Sequence, residues 1–234
     1  MPDHYHRRAA LAAVFGGGAA MLTAAPALAW HDTQRRPPPS GTAPRRGQTG
    51  PQAEAQFGSV PLRETDFVLG DTEAPITVIK YASMTCPHCA AFHAATAAEL
   101  KRTHIPQGRV RYVHRHFPLD QAAMAAAMLL HCGNTTQARF FALLDILYSE
   151  QGEWTRAGDP IDALRGIAAR TGLNAEEFAA CLADQALSRR IQAERDEGAE
   201  TFGVNATPTL LVNGARYSGN LTTAQLDTII DRTG

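Results

Sequence analysis

The feature that most constrains this chain is a pair of cysteines at a predicted junction between a strand and a helix. Cys86 and Cys89 enclose Pro87 and His88, and they follow the β-branched run Ile76–Ile79, which predicts a buried strand. A helix is predicted from about residue 87 to 103, because proline is favoured at the first position of a helix. A C-x-x-C motif in this context is typical of thiol–disulfide chemistry.

The position of the motif favours ionisation of its first thiol. Cys86 is predicted to cap the helix and Pro87 to occupy its first turn, so free backbone N–H groups and the positive end of the helix dipole face the Cys86 sulfur. His88 can add a positive charge or a hydrogen bond. We therefore predict that Cys86 is a reactive thiolate and that the more buried Cys89 resolves the mixed disulfide.

Two other interpretations of the pair are weaker. A structural zinc site needs two further ligands at matching spacing, and an inert disulfide closing so short a loop constrains the unfolded chain little. Five histidines outside the motif show no ligand spacing with a carboxylate or a cysteine: His93, His104, His114, His116 and His131. We therefore expect neither a metal nor a cofactor, and we assign Phe92, Met124 and Met128 to the core.

The N-terminus has the three-part pattern of a secretory signal. Arg7 and Arg8 precede an uncharged run over residues 9–29, which ends in the small-x-small sequence Ala27-Leu28-Ala29. We expect cleavage near Ala29 and export to the periplasm, with a retained anchor as the alternative. Adjacent arginines also fit a twin-arginine signal, so the export route stays open.

Composition divides the rest of the chain into a linker and one domain. Residues 30–58 are rich in proline, glycine and arginine and predict a disordered linker, and residues 59–234 form the folded domain. With 44% apolar residues and a net charge of −1, the chain does not resemble a polytopic membrane protein or a bulk nucleic-acid binder. We expect a monomer.

Local signals predict an α/β domain with strand–helix–strand, a helical block and then strand–strand–helix. The first two strands, Ile76–Ile79 and Arg109–Phe117, should be parallel. Helices are predicted over about residues 118–202, with caps at Asp120, Thr135 or Thr136, Asp159 and Asn174, and the helix after Asn174 is expected to be long. Asn213-Gly214 predicts a hairpin after the strand Thr209–Val212, and Thr222 caps the last helix.

Over residues 64–234 this pattern resembles the DsbA family of thioredoxin-fold disulfide oxidoreductases. The resemblance rests on the CPHC motif, the preceding strand, the helical block and Thr207-Pro208. It implies a thioredoxin-like fold with an inserted helical domain, and a cis proline at Pro208 opposite the active site. It also implies that Thr207 and Pro208 bind extended substrate peptides.

One position departs from the family's pattern. Thioredoxin-fold relatives usually have a buried acid six residues before the first cysteine, where this chain has Lys80, one of its two lysines. A partly buried ammonium there would favour the Cys86 thiolate. The alternative is a lysine facing an edge, whose amine reaches solvent.

The remaining cysteines, Cys132 and Cys181, lie in the helical block. Several DsbA-like proteins have a second, structural disulfide in this region, and a bridge between these two would stabilise the fold by roughly 4 kcal/mol. The alternative is two buried free thiols.

These observations predict an exported enzyme that introduces disulfide bonds into reduced exported proteins. By resemblance, a quinone-linked membrane oxidase would regenerate its disulfide. A reductase or isomerase of the same fold, and a non-enzymatic chaperone or assembly factor, remain as alternatives.

Overall fold

The computed structural model describes residues 50–234. The predicted signal peptide and residues 30–49 of the predicted linker lie outside the described residues. The end of the linker prediction is wrong, because Ala55 and Gln56 form a short strand that pairs with Arg216 and Ala215. Backbone hydrogen bonds from Glu54 and from residue 57 extend this pairing. The ordered domain therefore begins before residue 59.

The described part of the chain contains six strands, nine α-helices and one π-helical segment. The strands are β1 (Ala55–Gln56), β2 (Val68–Leu69), β3 (Ile76–Ala82), β4 (Val110–His116), β5 (Thr209–Val212) and β6 (Ala215–Ser218). The helices are α1 (Pro87–Phe92), α2 (Ala98–Arg102), α3 (Gln121–Leu129), α4 (Gln137–Ser149), α5 (Gln151–Trp154), α6 (Pro160–Arg170), α7 (Ala175–Leu182), α8 (Gln185–Glu200) and α9 (Thr223–Thr233). None of these helices is long and apolar enough to cross a membrane.

The strands form one mixed sheet in the order β1-β6-β5-β3-β4-β2. As predicted, β3 and β4 are parallel, and they are joined by the helical segment that carries the CPHC motif. β5 runs antiparallel to β3 and forms a hairpin with β6. The central strand β3 is buried along its whole length, and the motif begins just beyond its C-terminal end.

The two faces of the sheet pack in different cores. Ile76, Val78 and Ala82 on β3 belong to the larger core, which includes α1 and most of the helical block. Tyr81 belongs to the smaller core on the other face. There α8 approaches closely, because a methyl group on Gly198 would lie 2.8 Å from the Tyr81 ring.

The helical block spans α3 to α8 and lies in the chain between β4 and β5, as predicted. The caps expected at Asp120, Thr136 and Asp159 each accept a backbone hydrogen bond. Asn174 and Thr222 form capping boxes with the residues three positions later. Short-range polar signals therefore define most helix starts in this chain.

Two predicted helices are interrupted. The helix after the motif contains a π-helical segment, His93–Ala97, between α1 and α2. The long helix expected after Asn174 ends at Leu182, and α8 begins after Asp184, whose carboxylate accepts two backbone N–H groups of its first turn. Asp184 thus restarts the chain as a second helix, because a carboxylate at this position caps an N-terminus better than it continues a helix.

A disulfide joins Cys132, just after α3, to Cys181 in α7, with 5.7 Å between their Cα atoms. The alternative of two free thiols is therefore wrong for this structure.

A buried ion pair connects the segment before β2 to the sheet. Arg115 on β4 donates to Asp66, with 2.8 Å between Nη2 and Oδ2. Arg115 also donates to the hydroxyl of Tyr81 and the carbonyl of Pro61.

Candidate active site

The first cysteine of the motif caps a helix, as the sequence predicts. Cys86 has an extended backbone (φ −79°, ψ 119°), and Pro87 occupies the first turn of α1. The Cys86 carbonyl accepts from the N–H groups of Cys89 and Ala90 at 3.0 and 3.2 Å. The Cys86 side chain keeps 7% of its surface exposed, whereas Cys89 is fully buried. An incoming sulfur can therefore reach Cys86 and not Cys89.

The surroundings of Cys86 strongly favour its thiolate. Hydrogen bonding lowers its pKa to about 5, with the Cys89 thiol making the largest contribution. The Thr207 side chain and the backbone N–H groups of Cys89 and His88 act in the same direction, and partial burial opposes them. The imidazole of His88 is exposed, so the contribution of this residue that the structure shows is its backbone N–H.

The second cysteine has the opposite preference. Burial raises the pKa of Cys89 far above its ordinary value, and the hydrogen bond to Cys86 adds to this effect. The positive charge of Lys80 opposes both. Both cysteines are free in this structure. Near neutral pH the reduced pair is therefore a thiolate at Cys86 that accepts a hydrogen bond from a thiol at Cys89.

A cis peptide bond joins Thr207 and Pro208 beside the reactive sulfur. The Cys86 Sγ lies 3.3 Å from the Thr207 carbonyl oxygen, to which Cys86 donates while it is a thiol. The Thr207 hydroxyl is buried and has no hydrogen-bond partner among the described residues. It is therefore available to donate to the Cys86 thiolate, which explains why the Thr207 side chain lowers the pKa of Cys86.

Lys80 lies beneath the cysteine pair. Its side chain is fully buried, so the alternative of an amine that reaches solvent is wrong. The Nζ atom lies 3.4 Å from the Cys89 carbonyl oxygen, and it sits 5.0 and 4.6 Å from the ring centres of Phe92 and Tyr148. Burial lowers the pKa of Lys80 to about 8, while the two sulfurs raise it.

Residues of the helical block hold the loop before Cys86, and sequence reasoning missed them. The amide of Gln151 on α5 donates to the carbonyls of Met84 and Cys86 at 2.7 and 3.0 Å. The Tyr148 hydroxyl donates to the Ser83 carbonyl at 3.3 Å. No local pattern distinguishes these side chains from other helix residues, because their partners lie about 65 positions away in the chain.

The histidines outside the motif do not form a metal centre in the described part of the chain. No group of three or more histidine, cysteine or acidic side chains there is placed to hold an ion. His114, His116 and His131 pack against Phe140, and the Nε2 atoms of His116 and His131 are 2.9 Å apart. Burial lowers the pKa of all three, so they are neutral core residues near pH 7.

Comparisons with known proteins agree with this geometry. The thioredoxin family model matches residues 62–232. A protein named as a protein-disulfide oxidoreductase in Rickettsia bellii is 30% identical over 173 residues, which cover 73% of this chain. The chain spans 66% of the length of that relative, and the same share of a similarly named one from Rickettsia conorii.

Solved structures show a similarity of about the same extent. The crystal structure of Wolbachia pipientis alpha-DsbA1 has a TM-score of 0.68 and 30% identity, and the match covers 74% of this chain and 92% of that one. Bacillus subtilis BdbD, at 18% identity and a TM-score of 0.67 over 76% of this chain and 97% of its own, shows the shared fold alone. The thioredoxin-like fold with a helical insertion is thereby confirmed.

Proposed function

The chain belongs to the thioredoxin family, in its branch of DsbA-like thiol:disulfide oxidoreductases, and on this premise we propose that it introduces disulfide bonds into reduced exported proteins. The opposite ionisation of the two cysteines is the observation that supports this direction of electron flow, from the substrate to the disulfide of the chain. Hydrogen bonding lowers the pKa of Cys86 to about 5, and burial raises that of Cys89. A pair with these preferences is stabilised in its reduced form.

The ionisation of Cys86 is linked to the reduction potential of the pair. A thiolate exists only when the disulfide is reduced, so every interaction that stabilises it makes the disulfide a stronger oxidant. A Cys86 pKa two units below pH 7 corresponds to about 60 mV for a two-electron couple. This contribution raises the reduction potential and favours transfer of the disulfide to substrates.

The exchange has two steps. A substrate thiolate attacks the Cys86 sulfur, a mixed disulfide forms, and the electron pair of the broken bond leaves on Cys89. A second substrate thiolate then attacks the substrate sulfur of the mixed disulfide, and Cys86 leaves as a thiolate stabilised by the hydrogen bonds described above. Attack at Cys86 rather than Cys89 follows from their exposure.

Thr207 and Pro208 are proposed to hold the substrate chain. Their cis peptide bond lies against the Cys86 sulfur, and proline offers no N–H of its own. When Cys86 ionises or forms a mixed disulfide, the Thr207 carbonyl loses the thiol that donates to it. It can then accept a hydrogen bond from an extended peptide, as in strand addition.

The cellular context belongs to the same proposal. We propose that the chain is exported by its N-terminal segment, with cleavage near Ala29, acts as a monomer in the periplasm, and is reoxidised by a quinone-linked membrane oxidase. N-terminal sequencing of the protein recovered from the periplasm tests the cleavage site. Export without cleavage would favour a retained anchor instead.

The decisive measurement is the reduction potential of the Cys86–Cys89 couple against glutathione. We expect a value well above the roughly −270 mV of thioredoxin, together with oxidation of a reduced, unfolded protein substrate. Cys86→Ser should abolish the oxidation, and a protein with both Cys132→Ala and Cys181→Ala should retain it. A potential near that of thioredoxin would favour the reductase interpretation, and full activity in Cys86→Ser would favour a non-enzymatic role.

A further inference from the structure

The ammonium of Lys80 has an unusual environment. Its side chain is fully buried in the middle of the sheet, and no carboxylate in the part of the chain from residue 50 onward forms an ion pair with it. Its hydrogen-bond acceptor is the neutral carbonyl of Cys89, and aromatic rings flank it. A buried charge is costly unless an opposite charge lies close by.

The titratable groups around Lys80 identify where that opposite charge comes from. They are Cys86 and Cys89 at the start of α1, His93 in the π-helical segment, Lys101 on α2, His114 on β4 and Tyr148 on α4. Asp145 on α4 forms ion pairs with His93 and Lys101, and not with Lys80. The histidines are neutral or cationic and Lys101 is cationic. Burial raises the pKa of Tyr148 well above its ordinary value, so its hydroxyl stays neutral. The reduced cysteine pair, which carries one negative charge at Cys86, is therefore the source of negative charge.

This charge exists only in one redox state. With both cysteines free, as in this structure, the sulfurs raise the pKa of Lys80 against the effect of burial, and the result is about 8. Joining the sulfurs in a disulfide removes the negative charge of the pair, whereas the burial of the amine remains. The affinity of the amine for a proton must then fall.

We propose that Lys80 is a redox-linked proton site, whose amine is neutral while Cys86 and Cys89 are joined in a disulfide and takes up a proton when they are reduced. The inference rests on the proposed exchange at this pair and holds for either direction of electron flow. It gives Lys80 a role in the proton balance of the reaction, beyond a fixed positive charge beside the thiolate.

The balance of the reaction is complete with this proton. A substrate dithiol gives up two electrons and two protons as its own disulfide forms. The electrons break the Cys86–Cys89 bond, one proton goes to the Cys89 sulfur, and the other goes to the Lys80 amine. Cys86 remains a thiolate beside the new ammonium. Without Lys80, the second proton would be released to solvent.

Lysine-selective ¹³C labelling of the full chain tests the proposal without any substitution. The chain has only two lysines, so two side-chain Cε signals are expected, and the half-exposed Lys101 serves as an internal control. The Lys80 signal should titrate near pH 8 in the reduced protein and at least about one unit lower in the oxidised protein, a tenfold loss of proton affinity. The same midpoint in both states would overturn the proposal.

Proton counting gives an independent test with a matched control. Reduction of the oxidised protein by dithiothreitol in weak buffer at pH 7 should release one proton per disulfide in Lys80→Met. The unsubstituted protein and Lys101→Met should release fewer, by the amount that the two Lys80 midpoints predict. Equal release from all three proteins would refute the role of Lys80. Because the reductant is a small dithiol, a failure to oxidise protein substrates would count against the proposed function and not against this inference.

Discussion

Replacing Cys89 with alanine should raise the pKa of Cys86 by about one to two units. The Cys89 thiol makes the largest contribution to the low Cys86 pKa of about 5. A hydrogen bond to a charged group contributes about 1.5–3 kcal/mol, and one pKa unit corresponds to about 1.4 kcal/mol. Cys89→Ala removes this donor and leaves the backbone N–H groups in place, so Cys86 should titrate at about pH 6–7.

The assay is the ultraviolet absorbance of the thiolate as a function of pH, checked by the pH dependence of alkylation with iodoacetamide. In Cys89→Ala the signal comes from Cys86 alone, because Cys132 and Cys181 are joined in a disulfide. Cys89→Ser is the matched control, since its hydroxyl still donates to the sulfur and should keep the pKa closer to that of the unsubstituted protein.

A Cys86 pKa that stays near 5 in Cys89→Ala would refute this reasoning. The stabilisation would then belong to the helix N-terminus and to Thr207, and the second cysteine would act only as the resolving sulfur. A rise of the same size in Cys89→Ser would show that burial of the new side chain, and not loss of a donor, controls the shift.

Three further predictions concern stability. The Cys86 pKa is lower in the folded protein than its ordinary value of about 8.5, so its stabilisation is present above that pH and is lost as the pH falls through about 5. Relative to Cys86→Ser, the reduced protein should lose about 1.4 kcal/mol of unfolding free energy per pH unit between pH 8 and 5, and a flat difference would contradict the low pKa. Replacing both Cys132 and Cys181 with alanine should lower the free energy of unfolding in denaturant titrations by about 4 kcal/mol and leave the reduction potential of the motif unchanged. A shifted potential would show that the second disulfide also serves the active site. Asp66→Ala should lower the free energy of unfolding by about 3–5 kcal/mol, because it leaves Arg115 buried without its carboxylate. Asp66→Leu combined with Arg115→Met should recover most of this loss. Equal losses in the two proteins would argue against a penalty for the unpaired charge.

The parts of the fold that the sequence predicts are those whose signals are local. Asn174 and Thr222 each form a capping box with a residue three positions later, and Asn213-Gly214 closes a hairpin between adjacent strands. Each feature depends on a few neighbouring residues, so its physical cause is visible in a short window of sequence.

The parts that sequence reasoning missed depend on distant partners. β1 and β2 are two residues long, and they exist because residues 55 and 68 meet Arg216 and Val113 on strands far away in the chain. The same holds in the active site. Cys86 and Cys89 are recognised from their spacing, whereas Gln151, which holds the loop before them, has no signal of its own.

For Lys80, the order of the strands in the sheet is enough to choose between the two interpretations that the sequence leaves open. Strand β3 lies between β4 and β5, so neither edge of it faces solvent. Side chains alternate along a strand, which places Lys80 on the same face as Val78 and Ala82, beneath the helix that carries the cysteines. A lysine at the centre of a central strand has no path for its amine to solvent, so strand order alone excludes the interpretation as an edge-facing residue. When its amine is protonated, that charge must be compensated within the fold, and the Cys86 thiolate of the reduced motif can do so.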